Sequence, residues 1–130
     1  MKNTRSNNKA AQREPAEVTY REELDKLMSM DPGPMPPGWL MSPRGVEKFL
    51  LGDEKLGIER KFVADRAMVV RIIISLCTSR GCLLVGEPGT AKSWLSELLA
   101  AAISGNSTLT LQGGAISQVS QLLYSWNEAL

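Results

Sequence analysis

An α/β fold is what the sequence predicts, and three observations predict it. The apolar run Cys82-Leu83-Leu84-Val85 has the length and composition of a buried strand. From Trp94 to Ile103, Leu95, Leu98, Leu99, Ala102 and Ile103 recur at helical spacing, and Gly105 stops the run. Ser107 to Gln112 then alternates Leu109 and Leu111 against Thr108 and Thr110, the two-residue period of a second strand. Strand, helix, strand over about 30 residues is a βαβ unit. Its parallel pairing and right-handed crossover follow from general rules of topology.

The turn that joins the first strand to the helix reads Gly86-Glu87-Pro88-Gly89-Thr90-Ala91-Lys92-Ser93. Glycines let successive backbone N–H groups face one anion. The following helix adds its unpaired N–H groups and the positive end of its dipole. Lys92 can reach the outer phosphates of a nucleotide, and Ser93 can place its hydroxyl on an accompanying magnesium ion. The strict pattern, G-x-x-x-x-G-K-[ST], has glycine where Ala91 stands. Alanine serves there if the position is already right-handed helical, which is the expectation. An ordinary glycine turn with a solvated lysine is the plain alternative. Against it, strand and helix fall where a phosphate loop needs them.

The remaining elements follow in chain order. Residues 1–16 are polar, with Lys2, Arg5, Lys9 and Arg13 among Asn, Gln and Ser, and read as a disordered tail. Glu17 to Met30 carries Tyr20, Leu24, Leu27 and Met28 on one helical face. Residues 31–38, Asp-Pro-Gly-Pro-Met-Pro-Pro-Gly, form a stiff connector, because proline removes donors and fixes φ. Ser42 reads as an N-cap with Pro43 at the first helical position; Val46, Phe49 and Leu50 form the stripe and Gly52 ends the helix. A charged loop runs to Lys61. Asp65 can cap a helix from Arg66 to about Thr78 that is apolar nearly all round and is expected to be buried on most sides. After Gly113-Gly114, Val119, Leu122, Leu123 and Trp126 take the spacing of a last short helix.

Composition narrows the chemistry. The 130 residues hold one domain at most, 43% of them hydrophobic. Fifteen Lys and Arg against 14 Asp and Glu leave a net charge of +1, which argues against a nucleic-acid or anionic-membrane partner. With no histidine, histidine-based catalysis is excluded. Cys77 and Cys82 have neither zinc-finger nor thioredoxin spacing and read as buried, reduced thiols of a cytoplasmic protein. No secretory signal is visible, and no apolar stretch is long enough to cross a bilayer.

The stretch from Gly81 to Ser93 resembles the MoxR-like branch of the AAA+ ATPases, in which Ala-Lys-Ser or Ala-Lys-Thr often stands at this point. The resemblance runs from about Lys61 to the end. It implies a P-loop NTPase (AAA+) core, here an incomplete parallel sheet with its βαβ unit, over residues 61–130. A helical extension with its Pro/Gly connector precedes it over 17–60. It implies ATP and Mg2+ as cofactors, with Gly86, Glu87, Pro88, Gly89, Thr90 and Ala91 around the phosphates, Lys92 bridging the outer two, and Ser93 on the metal. It makes Phe62, Val63 and Ala64 candidate adenine contacts. It implies a hexameric ring and a protein substrate that ATP hydrolysis remodels.

Two departures stand out. The relatives carry a threonine-rich segment after the second strand, where this chain has Gly113-Gly114-Ala115-Ile116-Ser117. No apolar strand ending in Asp or Glu follows Ser93, so a magnesium-and-water acid, a polar sensor and an arginine for the γ-phosphate are not found. The expectation is therefore the N-terminal part of a longer ATPase, which binds ATP and does not hydrolyse it alone. Two other readings stay open: a truncated, non-catalytic binding module, and another P-loop class. A GTPase would show Asn-Lys-x-Asp, and Asn8-Lys9-Ala10-Ala11 lacks the aspartate.

Overall fold

Ser42 sets the middle of the molecule. Its hydroxyl accepts the Gly45 N–H at 3.2 Å, Pro43 takes the first helical position, and helix α3 runs Pro43–Leu51 until Gly52 ends it. Gly52 sits at φ 84°, and a Cβ there would meet the Arg60 backbone nitrogen at 2.8 Å, so only glycine fits. The computed structural model describes residues 13–110, and α3 lies at their centre. Before it come α1 (Ala16–Thr19) and α2 (Arg21–Met30); after it come a 3-10 turn (Glu54–Leu56), α4 (Arg66–Cys77) and α5 (Lys92–Ser104).

Helix α3 packs on α2, α4 and α5, and α1 packs on α5. Val46, Phe49 and Leu50 are fully buried and join Leu24, Leu27, Val69, Ile73, Leu95 and Leu98 in one apolar cluster. The expected extension, 17–60, thus shares its core with helices of 61–110. The Phe49 ring meets Tyr20 edge-on at 5.9 Å between centroids. Against both rings lies Lys61, whose side chain is only 2% exposed. Its ammonium stands 4.4 Å from the Phe49 centroid and 4.8 Å from that of Tyr20, pairs with Glu23, and donates to the Glu59 carbonyl at 3.0 Å. A charge taken out of water needs such a set of partners.

Asp31 holds the connector. One carboxylate oxygen accepts the Gly33 N–H at 3.1 Å and the other accepts the Ser42 N–H, which ties the proline-rich segment to the start of α3. Burial pulls this carboxyl upward. Hydrogen bonds from Ser42 and Gly33, with the charge of Lys48, outweigh that and hold it below the ordinary aspartate value.

Several expectations are corrected. The helix expected over Glu17 to Met30 is broken at Tyr20, at φ −109°, which turns the ring between Phe49 and Trp94. It also begins earlier: Ala16, assigned to the tail, opens α1 and is fully buried, and Arg13 stacks on Trp94. Helix α4 is buried on one face only, through Val69, Ile72 and Ile73, with Met68 and Ile74 exposed. Asp65 stands at its N-cap without a side-chain hydrogen bond. Cys82 is exposed rather than buried; Cys77 is half-buried, which pushes its thiol up.

The expected sheet is not seen among the described residues. Among the described residues the one β-pairing is the isolated antiparallel bridge Asp53–Ile58. Residues 82–85 and 107–110 form no strand, and Leu83, Val85 and Leu109 are each at least 85% exposed. A strand exists only where a neighbour completes its ladder, and none of the described residues does so. The strand's last residues, 111 and 112, the Gly113–Ser117 segment, the last helix and residues 1–12 of the tail lie outside the described residues.

Candidate phosphate-binding site

Residues 86–91 are exposed and lead directly into α5, so the loop faces open space at a helix start. Gly89 takes φ 85°, a left-handed conformation that glycine adopts without cost. The Thr90 hydroxyl donates to the Glu87 carbonyl at 2.9 Å and closes the turn. Lys92 reaches back over it. Its ammonium donates to the carbonyl oxygens of Gly86 at 2.8 Å and Glu87 at 2.6 Å, and to the Thr90 hydroxyl at 3.1 Å. A Cβ on Gly86 would lie 3.7 Å from both Lys92 Cδ and Nζ, so the lysine chain runs beside that glycine.

Helix α5 starts at Lys92, two residues earlier than the apolar pattern indicates, and its first-turn N–H groups have no intrahelical acceptors. Ser93 is exposed in that turn. Glycines, free helical N–H groups, an ammonium and a hydroxyl therefore converge at one end of α5. This donor set fits a polyphosphate, with the Ser93 hydroxyl available to the magnesium it carries.

The expectation for Ala91 is overturned. Ala91 stands at φ 59°, ψ 27°, the left-handed region, and forms the N-cap of α5. The strict pattern's glycine thus has a physical reason here, and alanine meets the same backbone demand at a cost of roughly 1–2 kcal/mol.

The three candidate base contacts divide. Phe62 is buried and its N–H donates to the Leu50 carbonyl at 3.1 Å, so it belongs to the core. Val63 is 87% exposed, and Ala64 is half-buried. Arg60, which the sequence did not single out, donates to the Phe62 carbonyl at 3.0 Å and to the Ala64 carbonyl at 2.9 Å. Trp94 packs against the core. Its indole N–H donates to the Lys61 carbonyl at 3.2 Å, its ring lies 6.3 Å from Tyr20, and the Arg13 guanidinium stacks 4.3 Å from its centroid. Nothing in local sequence marks these contacts, which join residues more than 30 positions apart.

Residues 81–129 match the AAA domain of the dynein-related subfamily. The match covers the loop and α5 and supports an AAA+ ATPase. Over 123 residues, 95% of the chain, the sequence is 53% identical to the "Uncharacterized protein YehL" of Escherichia coli (strain K12). The chain spans about a third of that relative's length, 34%. No solved structure matches the chain. Among the described residues, no helix is long and apolar enough to cross a membrane.

Proposed function

We propose that residues 86–93 bind ATP with Mg2+, and that the chain is the N-terminal part of a MoxR-like AAA+ ATPase. In this reading Gly86 through Ala91 wrap the phosphates, Lys92 bridges the outer two, and Ser93 ligates the metal. The observation that carries it is the Lys92 ammonium, held over the loop by three oxygen acceptors at the exposed start of α5. These acceptors keep the charge where an incoming polyphosphate would sit. Exchanging them for phosphate oxygens moves the ammonium only a short way, which is preorganisation.

Binding and hydrolysis are separate tasks. Lys92, Ser93 and the backbone donors hold ground state and transition state alike, and such contacts do not raise turnover. The groups that discriminate, an acid for magnesium and water and an arginine on the γ-phosphate, are not identified in this sequence. The whole protein, by this reading, forms a hexameric ring in the cytoplasm and couples hydrolysis to remodelling of a protein substrate. The 130-residue chain itself binds without turning over.

The test is titration of the chain with ATP and magnesium by calorimetry, beside Lys92→Ala. Saturable, magnesium-dependent binding that Lys92→Ala weakens supports the proposal. Equal binding by both forms overturns it.

A further inference from the structure

We infer that the cleft between α2, the proline-rich connector and the start of α3 is a docking site for an acidic peptide segment of another protein, with one apolar side chain in the cavity and a carboxylate on Arg44. The cleft lies within residues 27–66, outside the 81–129 family match, and shares no residue with the loop 86–93.

The cavity measures about 600 Å³, inside the range of roughly 300–1,000 Å³ typical of ligand sites. Leu27, Met30, Pro32, Pro34 and Leu56 give it apolar walls. Its shape exists before any ligand arrives. The prolines restrict the connector, and Asp31 ties it to the Gly33 and Ser42 N–H groups. A Cβ on Gly33 would meet the Ser42 Cβ at 2.8 Å, so connector and α3 touch with no space between them. A ligand entering such a cavity need not order its walls.

Charge decides what the cavity accepts. Arg44 and Lys48 stand one turn apart on α3, both exposed and both lining the cavity. Lys48 pairs with Asp53 at 3.3 Å, whereas Arg44 has no acidic partner among the described residues. Asp31 also lines the cavity, but each of its oxygens already accepts a backbone N–H. The unanswered charge beside the apolar walls is therefore positive, and a carboxylate matches the guanidinium fork. Length decides for a peptide. Beyond Arg44 and Lys48 the cleft continues into a second cavity of about 440 Å³, where Leu51 lines the wall and Glu47 pairs with Arg66. The run of α3 from Arg44 to Leu51 is about 10 Å long, the span of about three extended residues. A compact metabolite fills one cavity; an extended chain follows both.

The experiment measures fluorescence anisotropy of labelled peptides on the whole chain. The set places Leu, Ile, Met or Phe before one to three Asp or Glu residues, between glycines. Each peptide has a neutral partner with Asn or Gln for the acids, and a polar partner with Ser for the apolar residue. Expected is saturable binding by members of the set, weaker by about tenfold or more in both kinds of partner. Arg44→Glu and Met30→Glu should weaken it by a similar factor. Met30 is half exposed at the cavity wall, so its replacement leaves the core intact. Arg44→Gln, which removes the charge without reversing it, decides if a charge-reversed chain does not fold. Binding no stronger than that of the neutral partners, or equal in the folded variants, overturns the inference. So does binding that ignores the change to Ser, which is charge attraction alone. Octanoate that binds through Arg44 where no peptide does makes the cavity a small-molecule site and overturns the peptide. ATP titration of Arg44→Glu should match that of the unmodified chain, so the nucleotide reading stands or falls separately.

Discussion

The Nζ of Lys92 lies 2.8 Å from the carbonyl oxygen of Gly86, six residues earlier, so the two ends of the loop are joined through one ammonium. Replacing Lys92 by alanine removes that bridge and, with ATP present, a charge-assisted phosphate contact. Such a contact contributes about 1.5–3 kcal/mol, or about ten- to a hundredfold in affinity. Calorimetric titration of Lys92→Ala should show this loss, and an unchanged affinity would place the phosphates elsewhere.

Ala91 gives a prediction of opposite sign. Its left-handed backbone costs roughly 1–2 kcal/mol for alanine, while glycine costs about 0.4–1 kcal/mol in added unfolded-state freedom. The difference leaves Ala91→Gly neutral to about 1.6 kcal/mol more stable. Urea unfolding measures it. A clear loss of stability would mean that the loop does not hold position 91 at positive φ.

The carboxyl of Asp31 has a folded value below its unfolded one. A depressed carboxylate contributes stability above its unfolded value and loses it as pH falls through the folded value. That contribution should be complete at neutral pH and decline below about pH 4. Asp31→Asn should lose about 1–3 kcal/mol at neutral pH, through the weakened bonds to the Ser42 and Gly33 N–H groups. Its stability should also fall less steeply between about pH 5 and 2. Parallel pH profiles for the two proteins would show that Asp31 carries none of this dependence.

Phe49 is fully buried beside Tyr20 and the Lys61 ammonium, in the cluster shared by α2, α3, α4 and α5. Truncation to alanine should cost about 3–5 kcal/mol. Because the core is shared, circular dichroism and Trp94 environment should be lost in one transition. Two separate transitions would make 17–60 an independent unit.

Turnover is the prediction with the widest consequence. Phosphate release by the 130-residue chain should equal that of Lys92→Ala. An arginine finger alone contributes on the order of 10³–10⁵ in rate, and no acid or arginine has been placed at the γ-phosphate. Lys92-dependent turnover near 1 per second, an ordinary enzyme rate, would show that a catalytic acid lies within these residues.

The helices were legible because their signals are local. Ser42 and Pro43 mark the start of α3 and Gly52 its end, and the apolar spacing of Leu95, Leu98 and Leu99 marks α5. The strands are not seen among the described residues, because a ladder needs a partner that no local pattern supplies; Leu83, Val85 and Leu109, read as strand residues, stand exposed. The phosphate loop could be read in kind but not in backbone detail. Lys92 and the glycines announce it, whereas the left-handed turn at Ala91 is a torsion that residue identity alone conceals. Lys61 read as part of a charged loop. Its burial depends on Glu23, Tyr20 and Phe49, which reach it from far along the chain.

Glu17, in α1, accepts from the Ser107 N–H at 3.2 Å and from its hydroxyl at 2.6 Å, across 90 positions of sequence. That bond imposes an order in time. At synthesis rates of about 5–20 residues per second, the carboxylate emerges roughly 5–20 s before its partner is made. Throughout that interval α1, a helix of four residues, has no α5 to lie against and is too short to persist by itself. The first helix of the described residues is therefore among the last to settle, against an α5 that is already made.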